Sequence, residues 1–225
     1  ELEALSTVSK AISVETNLQN LFLLLHDQVK SLIGSDVSFA VTIYNPVQNK
    51  IEIPFMTEDG QIVNFPSFPL GEGLTSVVIR SQKPLLLHNQ HQAVALGAKI
   101  IGKSAHSWMG VPLIIGSNVI GTMMVQDTEH EERFSESDLN VFLTLAPQVA
   151  VAIRNAQLFN QVENSLSQHK LLHQITVETA AANTIGEAIQ TTVDLLAKGL
   201  PGSKIAVLLK NEKDILSIQY SSGYS

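Results

Sequence analysis

The side chains that could do chemistry in this sequence are histidines, lysines and a single tryptophan, because the chain contains no cysteine. The absence of cysteine excludes a disulfide framework, a thiolate nucleophile and a cysteine-ligated zinc ion. His88 and His91 lie three residues apart in a polar segment, a spacing that could ligate a metal ion or a haem iron. We favour the simpler interpretation that both are solvated loop histidines.

A second histidine pair, His169 and His173, is spaced like the two zinc ligands of a His-Glu-x-x-His protease motif. Lys170 takes the place of the glutamate, so the motif lacks its carboxylate base and a third ligand. A phosphoacceptor histidine is normally followed by an acidic residue, and neither histidine is. We interpret both as exposed or seam positions on a long helix.

Five residues are candidates for binding a small molecule. Trp108 could stack on a planar ligand or pack in the core, and His106 could donate to a ligand or cap a strand. Lys99 and Lys103 could attract an anionic ligand or belong to a scattered solvated face. With Phe68, these residues form the predicted ligand-binding set.

No nucleophile and general base can be assembled from the sequence, so we expect a protein that is not an enzyme. The Gly71-Glu72-Gly73 segment is not a phosphate-binding loop, because it lacks the later glycine and the Lys-Ser/Thr pair. We expect the two glycines to allow a tight turn before a helix.

Composition narrows the class of protein further. The net charge of −7 and the isoelectric point near 5.4 argue against nucleic-acid binding, which usually needs a basic face. No apolar stretch approaches the roughly eighteen residues of a membrane span, and Glu1-Leu2-Glu3 is not a basic signal-peptide start. We therefore expect a cytoplasmic protein with no membrane insertion.

The elements that position these residues follow from periodicity and turn chemistry. Helical spacing of apolar residues predicts helices over residues 4–14 and 18–32, the second ending at Gly34. The β-rich runs Ser38–Tyr44 and Lys50–Thr57 are joined by a turn that contains proline and asparagine, which predicts a hairpin. A third β-rich run and a short helix follow, over Gln61–Phe68 and Leu74–Ser81.

The second half of the first domain is predicted in the same way. We expect Asn89–Lys103 to be a loop with a short helix, lying across the face of the sheet that holds the ligand. Trp108–Ile115 and Asn118–Gln126 are separated only by Gly116-Ser117, so they should pair as antiparallel strands in a six-element sheet. From Ser135 a helical pattern continues to about Ala182, a length typical of a coiled coil or a connector.

An internal repeat sets the number of domains. A shift of 167 residues places Leu5 on Leu172 and Phe22 on Ile189, and one further residue places Gly34 on Gly202. Thr184 and Glu187 form a predicted capping box at the start of the second unit. We predict an N-terminal signalling helix, one complete domain, a connector helix and the truncated start of a second copy, over residues 1–16, 17–159, 160–182 and 183–225.

The complete domain resembles the GAF family over residues 17–159. The resemblance rests on short segments that occur in the family's order and spacing. They are Phe68–Leu74, Lys83–Leu85, Trp108–Leu113, Val119–Gly121, Phe134–Leu139 and Ala150–Ala156. It implies an α+β fold with a central antiparallel sheet, terminal helices on one face and a ligand pocket on the other. Strands flanked by helices at both ends independently favour that layer arrangement.

The family binds cyclic nucleotides, tetrapyrroles, haem and other small metabolites, so the resemblance leaves the ligand and any cofactor unknown. Covalent bilin attachment and the family's methionine sulfoxide reductase chemistry both use cysteines, which this chain lacks. In the stretch that resembles the cyclic-nucleotide motif, Phe134 and Asp138 match, whereas Gln126-Asp127 replaces Asn-Lys and Leu139 replaces the final glutamate.

The resemblance implies a non-catalytic sensory module that binds a small molecule and relays its presence through the connector helix to further domains. The alternative is a ligand-free spacer that only mediates dimerisation, with its pocket filled by Phe, Met and Ile side chains. We predict a parallel homodimer formed through the apolar residues of the long helix. The alternative is that residues 184–225 fold back and cover these residues within one chain. The seam of the dimer is predicted at Leu139, Phe142, Val149, Ile153, Val162 and Leu166.

Overall fold

The computed structural model describes residues 17–34, 36–71, 73–98, 103–200, 202–210 and 216–222. The helix predicted over residues 4–14 lies outside them. The chain divides into two compact units, Glu1–Gln157 and Leu158–Ser225. Each unit is described by itself.

The first helix of unit 1, α1, spans Leu18–Ile33, where the sequence predicts a helix. It starts at Asn17, whose side-chain oxygen accepts hydrogen bonds from the backbone N–H groups of Gln19 and Asn20. It ends at Gly34, which adopts a φ of 123° that other residues rarely adopt. Five apolar residues on one face of α1 are buried: Leu21, Phe22, Leu25, Val29 and Ile33.

A sheet of seven strands, one more than the six elements predicted, forms the centre of unit 1, and all of its pairings are antiparallel. Six strands follow the order β3-β2-β1-β7-β6-β5, and β4 pairs with β2 outside this path. The strands are β1 (Ser38–Asn45), β2 (Lys50–Glu58), β3 (Gln61–Ile62), β4 (Phe68–Pro69), β5 (Leu85–Leu87), β6 (Ser107–Ile115) and β7 (Asn118–Asp127).

Both predicted hairpins are confirmed. Strands β6 and β7 pair directly through the short turn at Gly116, which has a φ of 62°, and strands β1 and β2 pair as predicted. The run Gln61–Phe68 is not one strand, which corrects the sequence prediction. It is divided into β3 and β4, and Pro66 lies in the segment between them, where it has no N–H to donate to a ladder.

Two short helices lie on the chain between β4 and β6. Helix α2 spans Leu74–Ser81, as predicted, and helix α3 spans Gln90–Ala95 within the segment predicted to hold a short helix. The side chain of Asn89 caps α3 by accepting from the N–H of Gln92 at 3.1 Å. Residues 99–102 of this segment lie outside the described residues.

The long predicted helix is confirmed as α4, which spans Glu136–Ala180 and has 45 residues. At 1.5 Å per residue it is about 70 Å long. Ser135 and Asp138 exchange hydrogen bonds at its start, because Asp138 accepts from the N–H of Ser135 at 2.8 Å and donates its own N–H to Ser135 Oγ at 3.3 Å. This reciprocal pair fixes where the helix begins.

The sheet of unit 1 has a buried cluster on each face, which confirms the predicted α+β layers. On one face, α1 and the first part of α4 pack on the strands in the larger core. On the other face lies a smaller cluster that includes residues of α2, α3 and the strands. The buried members of this smaller cluster are Ala40, Met56, Val78, Leu87, Ala93, Trp108 and Met124.

Unit 2 contains the end of α4, helix α5 (Ile185–Gly199) and a hairpin of β8 (Ile205–Lys210) and β9 (Leu216–Ser222). Thr184 caps α5 by accepting from the N–H of Glu187 at 3.2 Å, and Glu187 accepts from the N–H of Asn183 at 3.0 Å. The order helix, strand, strand repeats that of α1, β1 and β2. That unit 2 is a second copy of the domain remains a prediction.

Candidate ligand-binding site

A cavity of about 100 Å³ lies on the face of the sheet opposite to α4. Strands β2, β6 and β7 contribute to one wall. The rest comes from β4 and the segment before it, helices α2 and α3, Ala98 and residues 103–105. Its larger apolar lining residues are Ile53, Met56, Phe65, Phe68, Leu74, Trp108 and Met124. The cavity is therefore mainly apolar, as ligand sites in proteins commonly are.

Trp108 lines the cavity and is also a member of the smaller core cluster. Its position is therefore compatible with both interpretations of this residue, packing in the core and stacking on a ligand. Only 3% of its surface is exposed. Its backbone lies between Leu87 in β5 and Gln126 in β7. A side chain at Gly110 would collide with the indole ring, because the nearest ring atoms occupy the space of a Cβ. Glycine at 110 thus allows the indole to lie where it does.

Four uncharged polar side chains also line the cavity: Thr75, Gln90, Ser104 and Gln126. Among the described residues, none of these side chains makes a hydrogen bond to another protein group. Ser104 Oγ is fully buried without a partner. A buried hydroxyl without a partner costs about 1–3 kcal/mol, which a ligand with a matching group would recover.

Lys103 lines the cavity, but its charge is already compensated. Its Nζ lies 3.1 Å from Asp59 Oδ2 and 3.9 Å from Glu58 Oε2, at the turn after β2. The hydrogen bond and charge of Asp59, followed by the charge of Glu58, raise the pKa of Lys103. This contact ties the segment after residue 102 to the β2–β3 turn.

The structure brings together three of the five predicted ligand-binding residues. Phe68, Lys103 and Trp108 line the cavity. His106 is half-buried but is not among the lining residues, and its backbone N–H donates to Asp127 O at 2.8 Å. Lys99 lies outside the described residues.

Sequence reasoning missed the four uncharged polar lining residues. One signal was available for Gln126: it pairs directly with Trp108 across β6 and β7, and side chains at paired positions share a face. Thr75, Gln90 and Ser104 carry no such signal, because they enter the cavity from separate helices and a connecting segment.

The histidine pairs remain without a third ligand. No cluster of three or more metal-ligating side chains occurs in the part of the chain that the structure describes. His88 instead receives a backbone contact, since its carbonyl accepts from the N–H of Glu132 at 2.7 Å. His169 and His173 lie exposed on α4.

The stretch that resembles the cyclic-nucleotide motif is occupied by contacts within unit 1. Asp127 Oδ1 accepts from the N–H groups of Glu129 and His130 at 2.7 and 2.8 Å, and Oδ2 lies 3.1 Å from His130 Nδ1. Burial opposes ionisation of this carboxyl, but these hydrogen bonds outweigh it and lower the pKa of Asp127. Phe134 is buried in the core and Asp138 caps α4.

Arg133 links this stretch to α1. Its Nη2 donates to the carbonyl of Ile33 and lies 3.3 Å from Asp36 Oδ1, while its Nε lies 3.7 Å from Asp127 Oδ2. Its backbone N–H donates to Ser107 Oγ at 3.0 Å. These contacts hold the loop between β7 and α4 against the end of α1 and the start of β6.

The predicted dimer seam divides into two parts. Four of its residues are at most 8% exposed, because they pack on the sheet of their own unit: Leu139, Phe142, Val149 and Ile153. They therefore belong to the core, which corrects their assignment to a surface between chains. Val162 and Leu166 are 66% and 51% exposed and stay available to a partner.

None of the helices in the described ranges is both long and apolar enough to cross a bilayer.

Comparison with solved structures finds the same architecture in other proteins. The chain is similar to the GAF domain of an Acinetobacter phosphoenolpyruvate-protein phosphotransferase, with 21% identity, a TM-score of 0.60, and coverage of 70% of this chain and 94% of that one. It is also similar to the GAF domain of a phosphoenolpyruvate-protein phosphotransferase from Coxiella burnetii, with 22% identity and a TM-score of 0.57. That match covers 71% of this chain and 96% of that one. A third similar structure is the free methionine-R-sulfoxide reductase from Neisseria meningitidis, with 16% identity and a TM-score of 0.57. That match covers 68% of this chain and 88% of that one.

These identities are low, so the structural likeness shows the fold and nothing more. The sequence carries the stronger finding, because a family model described as GAF domain matches residues 15–154, which is more than half of the chain. The chain belongs to the GAF domain family, a group of regulatory and sensory domains of signalling proteins.

Proposed function

We propose that this protein is a non-catalytic sensory module of a signal-transduction protein, which binds a small molecule in the cavity and relays its presence through α4. The observation that carries this proposal is the cavity itself. It is mainly apolar, and it is lined by four polar side chains that have no partner among the described residues. A cavity that served packing alone would leave at least the buried Ser104 hydroxyl unsatisfied, at a cost in stability.

The sheet supplies the physical path for such a relay. Trp108 lines the cavity, and the next residue, Met109, is completely buried in the core on the helical face. Met124 and Val125 have the same relation in β7. Because alternate residues of a strand face opposite sides, a ligand that moves β6 or β7 also changes the surface on which α4 packs. Signalling through this path requires two states of the packing.

The output proposed for α4 is a parallel homodimer connected to further domains of a cytoplasmic protein. Beyond the core of unit 1, α4 carries exposed apolar residues that include Leu158, Phe159, Val162 and Leu166. Burying each such side chain is worth about 1.5–3 kcal/mol relative to leaving it in water. The same helix of a second chain provides that burial most simply.

One observation favours the alternative of a ligand-free spacer that only dimerises. The cavity of about 100 Å³ is smaller than the roughly 300–1,000 Å³ typical of sites for drug-sized ligands. Met56, Phe65 and Met124 are among the side chains that line it. A spacer would keep the dimer and have no ligand to bind.

Native mass spectrometry of the freshly purified chain separates the two functions. We expect a dimer that carries a small-molecule adduct, lost on denaturation. Ala93→Phe should abolish the adduct because Ala93 lines the cavity, whereas Ala95→Phe, on the exposed side of the same helix, should retain it. A dimer without any adduct would contradict the sensory proposal and support the spacer.

A further inference from the structure

The polar groups that line the cavity share one chemical property, which is that they are neutral and can both donate and accept hydrogen bonds. Ser104 and Thr75 contribute hydroxyls, while Gln90 and Gln126 contribute carboxamides. Ser104 Oγ is buried and unpaired, and Gln126 is only 9% exposed. A ligand that carries both donors and acceptors on its edge would match all four of them.

Charge gives the second constraint. Lys103 is the one ionisable side chain among the described lining residues, and Asp59 and Glu58 already compensate its ammonium group. A charged ligand would lose its hydration in the cavity without meeting an uncompensated opposite charge, which is costly. The described lining therefore selects against both anions and cations.

Shape gives the third constraint. Three aromatic side chains, Phe65, Phe68 and Trp108, contribute to the apolar lining. Aromatic faces pack well against flat molecules. A cavity of about 150 Å³ holds one benzene ring. The volume of about 100 Å³ therefore excludes a fused ring system and limits the ligand to a single small ring.

We propose that the cavity binds an uncharged, planar, single-ring molecule whose polar edge both donates and accepts hydrogen bonds, and that Ser104 and Gln126 recognise this edge. This inference rests on the proposed sensory function and specifies its ligand class. Among the described lining residues, none offers an uncompensated positive charge to a phosphate or carboxylate.

Four probes of nearly equal shape test the ligand class. Benzamide is neutral and has donors and an acceptor, benzoate is its anionic counterpart, benzamidinium is its cationic counterpart, and α-methylstyrene has no polar group. Trp108 is the only tryptophan of the chain and lines the cavity, so its fluorescence reports binding at this site. We expect saturable binding of benzamide, at least about tenfold tighter than that of either charged probe.

Two variants test the recognition residues, with a matched control. Ser104→Ala should weaken benzamide binding about five- to tenfold without lowering the melting temperature of the free protein, because it removes an unpaired buried hydroxyl. Gln126→Met should weaken benzamide similarly and leave α-methylstyrene binding intact. Ser117→Ala, in the exposed turn between β6 and β7, should change neither affinity.

The outcomes separate the inference from the proposed function. Benzoate or benzamidinium binding as tightly as benzamide would overturn the neutral class but keep the sensory function; the benzoate arm also tests for a contribution from Lys99. Binding of α-methylstyrene as tight as that of benzamide, unaffected by Ser104→Ala, would overturn the polar recognition. No response to any probe would overturn the inference, and the adduct in native mass spectrometry decides the sensory function separately.

Discussion

At the scale of single residues, Asp127 shows how one buried carboxylate organises a connection. It terminates β7, accepts two backbone N–H groups of the following loop and faces His130 and Arg133. Its side chain is only 3% exposed. The loop that leads to α4 thus depends on a charge that has almost no contact with water.

Replacing Asp127 by Asn should lower the free energy of unfolding by about 1–2 kcal/mol at pH 7. Asparagine keeps an acceptor for the two N–H groups but loses the charge that faces His130 and Arg133. The pKa of Asp127 is lowered in the folded state from its ordinary value of 3.8, so its stabilisation is present above about pH 4 and is lost as the pH falls through the folded pKa.

Urea unfolding at pH 7 and pH 3 measures this difference. The difference in the free energy of unfolding between the wild type and Asp127→Asn should have its full value at pH 7 and be smaller at pH 3. Glu129→Gln removes a charge from an exposed side chain of the same loop and should change stability little at either pH. A gap that is equal at both pH values would contradict the role assigned to the ionised carboxylate.

At Gly110, the absence of a Cβ atom determines where the Trp108 ring can lie. In Gly110→Ala the new Cβ would collide with the indole of Trp108, so the ring must move. We expect a loss of about 1–3 kcal/mol in stability and a changed near-ultraviolet circular dichroism signal from Trp108. Gly71→Ala is the control, since its nearest neighbour, Pro69 O, would lie at an ordinary 3.6 Å. Equal stability of the two variants would count against the close contact.

At the scale of elements, α4 has two different roles along one continuous helix. Up to Ala156 nine of its apolar residues are buried, although Leu143 and Val151 are exposed, and from Leu158 onward many are exposed. The core part anchors the helix in unit 1. The exposed part is the surface that the proposed dimer needs.

The double variant Val162→Glu and Leu166→Glu should dissociate the dimer, because it places two charges on the exposed apolar side of α4. Asn164→Glu and Gln168→Glu add the same charge at the same spacing on polar positions, and this control should stay dimeric. Light scattering at micromolar concentration reads the mass of each protein. A monomeric wild type, or equal dissociation of both double variants, would contradict the dimer.

At the scale of the whole molecule, the sheet of unit 1 keeps the cavity and the helical layer on opposite faces. The proposed coupling therefore passes through strands that carry residues on both faces, such as Met56 and Phe55 in β2 and Trp108 and Met109 in β6. Unit 2 has the helix and hairpin order that the internal repeat predicts. This order is the one expected for the modular sensory protein that we propose.

Local sequence patterns were sufficient for most of the elements. The spacing of apolar residues predicted α1 and α4, and the short Gly116-Ser117 turn predicted the pairing of β6 with β7, since so few residues allow little else. The third β-rich run was mispredicted, because composition does not reveal how Pro66 interrupts a ladder. The GAF family itself could be identified from the order of its short segments.

What the sequence by itself determined was the set of helices and hairpins, because periodicity and turn chemistry act between near neighbours. Only the tertiary structure decided which surface each helix or strand face packs against and which side chains line the cavity. An apolar helical stripe looks the same whether it packs on a sheet, as Phe142 and Val149 do, or is exposed, as Val162 is. Likewise, Ser104 and Gln126 share a cavity only because the fold brings a connecting segment over β7.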